Sequence, residues 1–155
     1  MTAFETNVRI ERPLEVVYAY VAEPDNFPRW NSAVQAVRKT SAGDDASVGS
    51  TYTMERTLPT GRAVNGLEIV AHEPPTAFAI RTTSGPTPFL YRFRFAREDR
   101  ATVVRLQGEA ELGHVGNLLG PLARRALQRG VDDNLATLKA ILEQAPLINQ
   151  LGGVS

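Results

Sequence analysis

Residues 117–144 read NLLGPLARRALQRGVDDNLATLKAILEQ. Within them Leu119, Leu122, Ala123, Ala126, Leu127, Val131, Leu135, Leu138, Ile141 and Leu142 recur at helical spacing and build one apolar face. Arg124, Arg125, Gln128, Arg129, Asp132, Asp133, Lys139 and Glu143 occupy much of the remaining surface. The pattern predicts a helix from Asn117 to Gln144, with Asn117 as its N-cap and Pro121 in the first turn, where the missing N–H has no helical partner to lose. Pro146 stops it. Such a helix is about 40 Å long at a rise of about 1.5 Å per residue. Six gaps of about 4.8 Å give a seven-stranded sheet about 29 Å wide. One helix can therefore cross a whole sheet, and the preceding residues must supply the strands.

Phe4 to Ile10 sets Phe4, Thr6, Val8 and Ile10 against Glu5, Asn7 and Arg9, the alternation of a half-buried strand. Pro13 then fits the first turn of a short helix carrying Val16, Val17, Tyr20 and Val21, and Asp25 is placed to cap a second one over Asn26 to Asn31. Ala33 to Lys39 is the second strand, and the Gly/Asp/Ser-rich stretch Thr40 to Gly49 a polar loop. Hairpins follow: Ser50 to Leu58, Arg62 to His72, Thr76 to Thr83, Phe89 to Ala96 and Ala101 to Leu112, separated by turns such as Pro59-Thr60-Gly61 and Glu73-Pro74-Pro75. The order β-α-α-β-β-β-β-β-β-α describes an α+β fold with helices on one face of an antiparallel sheet. Residues 1–146 are expected to form one domain, and 147–155, ending in Gly152-Gly153-Val154-Ser155, a flexible tail.

Composition narrows the function. Lys+Arg and Asp+Glu both number 17, so the formal net charge is zero and nothing electrostatic calls for nucleic acid or an anionic membrane. No cysteine is present, which excludes disulfides, thiol nucleophiles and thiolate metal sites. No stretch approaches the ~20 apolar residues of a membrane span, and the start MTAFETNVRIERP does not read as a signal peptide; a cytoplasmic location is the expectation. His72 and His114 are far apart in sequence and make no metal site without carboxylates. HExxH, a P-loop, GxSxG and a strand-borne GxGxxG are all missing.

Alternation also says which side chains face the helix. Phe89, Tyr91, Phe93 and Phe95 share one face of their strand, and Val104, Leu106, Gly108 and Ala110 share one face of the next. By the same logic Tyr52, Met54, Arg56 and Leu58 face inward, as do Phe78, Ile80 and Thr82, and Leu67, Ile69 and Ala71 with Asn65. A slip of one residue would exchange Asn65 for Glu68 and His72, or Thr82 for Arg81. Arg56 is the odd member, because a guanidinium on an apolar face must find a carboxylate, carbonyls, water or a polar ligand group. Either its stem snorkels to the sheet edge, or it pairs with an acidic residue inside, or it meets a ligand. Asn65 can orient a ligand carbonyl or serve a nearby turn. The small residues Gly108, Ala110, Ala123, Ala126 and Gly130 oppose the aromatics, a mixture that leaves room for a cavity. Gly130 costs about 1 kcal/mol in a helix interior, and either close helix–sheet approach or a wider pocket accounts for it.

Val8-Arg9-Ile10-Glu11-Arg12-Pro13-Leu14-Glu15-Val16-Val17-Tyr18, Pro24-Asp25-Asn26-Phe27-Pro28-Arg29-Trp30, Val48-Gly49-Ser50, Glu73-Pro74-Pro75, Thr82-Thr83-Ser84-Gly85-Pro86 and the long last helix follow one another in a familiar order. Together they resemble the polyketide cyclase/dehydrase branch of the START and birch-pollen-allergen-like superfamily, over about residues 3 to 144. The resemblance implies a helix-grip fold: a strongly curved seven-stranded antiparallel sheet wrapped around the C-terminal helix, with a cavity between them and two short helices after the first strand. It implies a hydrophobic small molecule, lipid or polyketide-like, as partner, and no cofactor. Phe27, Trp30, Tyr52, Met54, Arg56, Asn65, Phe78, Tyr91, Phe93, Leu106, Leu127 and Val131 are then the expected ligand-binding residues; a second copy of the chain is an open option as partner. The alternative is a cyclase, aromatase or dehydratase working by positional catalysis. In those enzymes an aromatic-Pro pair, here Phe27-Pro28, and inward arginines, here Arg56 or in the slipped register Arg81, shape the pocket. Gly108 stands where a cyclase would carry a larger polar residue, which favours the binder. A protein-interaction or stress-response module with an incidental cavity is the third class.

Overall fold

The structure, a computed structural model, describes residues 2–111 and 120–144. Its elements are β1 (Thr2–Ile10), α1 (Leu14–Val21), a 3-10 turn (Pro24–Asn26), α2 (Phe27–Trp30), β2 (Val34–Lys39), β3 (Thr51–Leu58), β4 (Gly61–Glu73), β5 (Ala77–Ser84), β6 (Phe89–Glu98), β7 (Ala101–Ala110) and α3 (Pro121–Gln144). The seven strands form a single sheet in the order β1-β7-β6-β5-β4-β3-β2, every pair antiparallel. Hairpins account for every pairing except β1 with β7, and β1 reaches that edge because α1, α2 and β2 carry the chain to the opposite one.

The alternation expected along β3, β6 and β7 is the one observed. Met54, Phe93, Phe95, Val104 and Leu106 are buried, while Arg92, Arg94, Arg105 and Gln107 are exposed. On β4 the expected register holds, with Asn65 inward opposite Met54, and Glu68 paired with Arg81 on the outer face at 2.8 Å. Arg81 is therefore not an inward arginine. One expectation on β4 is corrected. A bulge between Ile69 and Ala71 inserts a residue, so His72 rather than Ala71 lies opposite Phe78 on the inner face. The His72 ring stands edge-on to Tyr18 and Phe78, with centroids 5.6 and 6.4 Å away. A second irregularity at Gly66/Leu67 absorbs Thr83 and keeps Thr82 in phase with Leu67. Both bulges bend the strands more sharply than a regular ladder does.

Two helix starts differ from expectation. The last helix begins at Pro121, not at Asn117. Gly120 has φ +47°, outside the helical region, and Arg124 N–H donates to Gly120 O at 3.1 Å to close the first turn. Pro121 thus sits at the first helical position, which suits its missing N–H; Asn117, Leu119, His114, Pro146 and the 147–155 tail lie outside the described residues. The cap near α2 is also different. Glu23, not Asp25, supplies the oxygen, accepting from Asp25 N–H at 3.2 Å.

The two halves of α3 are unequal. Val131, Leu135, Leu138 and Leu142 are buried at i, i+4, i+7 and i+11 spacing. Upstream of Val131 every described side chain of the helix is exposed or half-buried, and Leu122 keeps 64% of its surface. The helix is fastened along β1 by Gln128 Nε2 to Glu5 O at 3.2 Å, Thr6 Oγ1 to Asp132 Oδ1 at 2.5 Å and Lys139 Nζ to Arg9 O at 2.6 Å. On the other side Ser32 N–H donates to Asn134 Oδ1 at 3.2 Å. Among the described residues no helix is long and apolar enough to cross a membrane.

Candidate ligand-binding pocket

Where the first half of α3 stands clear of the sheet, a pocket of about 330 Å³ remains. Leu127, Gly130, Val131 and Asn134 form its helix wall at i, i+3, i+4 and i+7. The sheet wall is Met54 and Arg56 from β3, Ile80 from β5, and Phe89, Tyr91 and Phe93 from β6. Phe27 and Trp30 of α2, with residues 31–34 after them, close one side. Trp30 is buried, its ring edge-on to Phe27 at 5.7 Å and to Phe93 at 6.3 Å.

Eight of the expected residues thus meet at this pocket: Phe27, Trp30, Met54, Arg56, Tyr91, Phe93, Leu127 and Val131. The other four do not line it. Phe78 and Leu106 are core, packed on Phe93 from the neighbouring strands. Tyr52 is buried, and that burial, with the charges of Glu23 and Asp25 pushing the same way, raises its pKa to about 12. Asn65 is fully buried behind Arg56. Phe89, Ile80 and Asn134 were not expected as lining. The first two share the inner faces read from alternation, and Asn134 follows Leu127 at i+7, so helical spacing carried its signal.

Among the described residues Arg56 is held by neutral acceptors only. Nε donates to Asn65 Oδ1 at 2.9 Å, while Nη2 donates to Pro86 O at 2.9 Å, Thr87 O at 3.2 Å and Thr87 Oγ1. Asn65 in turn donates through Nδ2 to Ser84 O at 3.0 Å and Pro86 O at 2.8 Å. The turn they clasp is shaped by Gly85. Its φ is +93°, and Val64 O lies 2.3 Å from where a Cβ would sit, which leaves no room for a side chain. Of the alternatives open for Arg56, an internal acidic partner is therefore not the one found among the described residues. Its Cζ lies 5.5 Å from the Phe89 ring centroid, and Tyr91 stacks on Phe89 at 4.3 Å. Burial lowers the Arg56 pKa and raises that of Tyr91; the attraction between guanidinium and phenolate opposes both shifts. Tyr91 is enclosed yet only half-buried by accessible surface, because the surface it keeps opens onto the pocket.

Gly108 does not widen this pocket. A Cβ there would come within 2.2 Å of the Phe4 ring, which fills the space and stands edge-on to Tyr91 at 5.5 Å. Gly130 does leave space, since a Cβ there meets nothing within 4 Å. Among the described residues no three His, Asp or Glu side chains gather at one point.

A curved antiparallel sheet gripping a long C-terminal helix, with a pocket between them, defines the helix-grip class that START and birch-pollen-allergen-like proteins share. The chain belongs to the polyketide cyclase / dehydrase and lipid transport family, whose sequence pattern matches residues 1–143. A START superfamily protein from Mycobacterium smegmatis is similar in structure at TM-score 0.72 and 14% identity, over 92% of this chain and 97% of that one. The protein TTHA0849 from Thermus thermophilus is similar at TM-score 0.75 and 15% identity, over 99% and 100%. The di-domain ARO/CYC StfQ of the steffimycin biosynthetic pathway is similar at TM-score 0.70 and 18% identity; 92% of this chain covers 51% of it. Among curated protein sequences none matches significantly.

Proposed function

We propose that the protein binds a hydrophobic small molecule, lipid or polyketide-like, in the pocket between β3–β6 and the first half of α3. One observation carries the reading. The pocket wall is mostly aromatic and aliphatic, with Asn31, Ser32, Thr57 and Asn134 as neutral polar members, and the lone charged side chain among its described lining residues is Arg56. Its size of about 330 Å³ falls in the range of small-molecule sites, roughly 300–1,000 Å³. The family description names lipid transport as well as cyclase and dehydrase chemistry, and the second activity is the alternative reading. Arg56 and Tyr91 are placed to polarise a ligand carbonyl, as a positional catalyst requires. Among the described lining residues, however, no His, Asp, Glu or Lys is present to take a proton near neutral pH, so binding without turnover is the better-supported function.

The test uses Trp30, the single tryptophan of the chain. Native mass spectrometry of protein purified from its own host should show a co-purified small molecule. Titration with fatty alcohols and flat aromatic polyketides should shift Trp30 emission saturably. No bound mass together with no saturable shift would overturn the proposal.

A further inference from the structure

The pocket holds a cation that no described residue neutralises. None of the ion pairs among the described residues includes Arg56. Asn65 Oδ1, the carbonyls of Pro86 and Thr87, the Thr87 hydroxyl and the Phe89 face are all uncharged, so they fix its position without supplying a counter-charge. The hydrogen bonds engage Nε and Nη2 only. Nη1 has no hydrogen bond to the described residues, and neither it nor Tyr91 Oη is sealed from solvent. Two donor groups thus stay open beside Phe89, on a mostly apolar wall that includes Met54, Ile80, Phe93 and Leu127. A guanidinium anchored on one edge and open on the other suits a planar carboxylate, and an apolar enclosure keeps the attraction strong. A neutral ligand would leave the charge uncompensated, and a cationic one would add to it.

We infer that the pocket takes an amphiphile with one negative charge, its carboxylate facing Arg56 Nη1 and Tyr91 Oη and its hydrocarbon lying along the aromatic wall. The inference rests on the binding function proposed above and narrows it to a charge class. Arg56 selects the head group, Tyr91 adds a neutral donor whose hydrogen bond is stronger to a carboxylate than to an alcohol, and the Asn65–Thr87 clasp holds the guanidinium in place before the ligand arrives.

Three ligands with one tail separate the possibilities: decanoate, 1-decanol and decylammonium, titrated by calorimetry and Trp30 emission at pH 7.5 below their micelle thresholds. Decanoate should bind roughly tenfold or more tightly than 1-decanol, the factor a charge-assisted hydrogen bond confers, and decylammonium should be the weakest. Arg56→Gln keeps polar contacts to the clasp and removes the charge; it should erase the preference for decanoate over 1-decanol. Should that variant fail to fold, Tyr91→Phe leaves Arg56 and its clasp intact and should weaken decanoate several-fold, and more than it weakens 1-decanol. Equal affinity for decanoate and 1-decanol overturns this inference and leaves the binding proposal standing. A decanoate preference that survives Arg56→Gln overturns it too. Binding of none of the three overturns the proposal beneath it as well.

Discussion

Arg56 and Asn65 show how much a single inward polar residue depends on partners that the local sequence does not announce. Asn65 has no accessible surface, and its side chain joins Arg56 Nε to the carbonyls of Ser84 and Pro86. Replacing it with Leu keeps the volume but takes the partner from Arg56 Nε and from Ser84 O, while Pro86 O keeps its bond from Arg56 Nη2. At about 1–3 kcal/mol for each buried group left unpaired, with some relaxation toward water, Asn65→Leu should cost about 3 kcal/mol, read as a lower urea midpoint with an unchanged slope. A loss under about 1 kcal/mol would mean that the clasp is dispensable. The inward direction of Arg56, Asn65, Met54, Tyr91 and Phe93 was legible because period-two alternation is geometry, not context. The partners of Arg56 were not, because neutral carbonyls about thirty residues away carry no charge signature. Phe78 and Leu106 were misplaced for a related reason: alternation gives the face of a strand, not how far along it the helix lifts away.

Among the elements, α3 is divided in function by its packing. Its C-terminal half anchors the core through Leu135, Leu138 and Leu142, whereas its N-terminal half leaves the pocket open. Gly130 lies at the junction, with no atom within 4 Å of where a Cβ would sit. Gly130→Ala therefore adds helix propensity without a clash, a gain of about 0.8–1.0 kcal/mol. In thermal unfolding this should appear as a rise of about 3–4 °C; an unchanged or lower melting temperature would show that the glycine is needed for close packing. The seven strands and the long helix were legible because each is periodic over many residues. The bulges in β4 and β5 were not, since one inserted residue leaves the composition unaltered and shows only as a change of phase. The start of α3 was misread because the apolar pattern runs back through Leu119, while Gly120 and Pro121 fix the boundary by backbone geometry alone.

For the whole molecule, the tyrosines tie the fold to pH. The chain has four, and burial pushes Tyr18 and Tyr52 up to about 12 and Tyr91 upward as well. Tyr18 Oη donates to Ala77 O at 2.9 Å and so fastens α1 to the start of β5, and its ring packs edge-on against Phe95 at 5.0 Å. In the unfolded chain a phenol ionises near pH ~10. Between that value and about 12 the native state keeps protons that the unfolded state has released, so stability falls as pH rises. The contribution of these groups is complete below about pH 10 and is lost as pH climbs through about 12. Unfolding free energy should hence decline steadily over that window, with tyrosinate absorbance near 295 nm appearing for the buried rings only as the sheet opens. Tyr18→Phe removes one of the titrating groups. It should lower stability at neutral pH by about 1 kcal/mol, for the hydrogen bond to Ala77, and make the alkaline decline shallower, because the slope counts the protons that differ between the two states. A decline as steep as in the parent protein would assign the alkaline sensitivity to other groups and remove Tyr18 from the account.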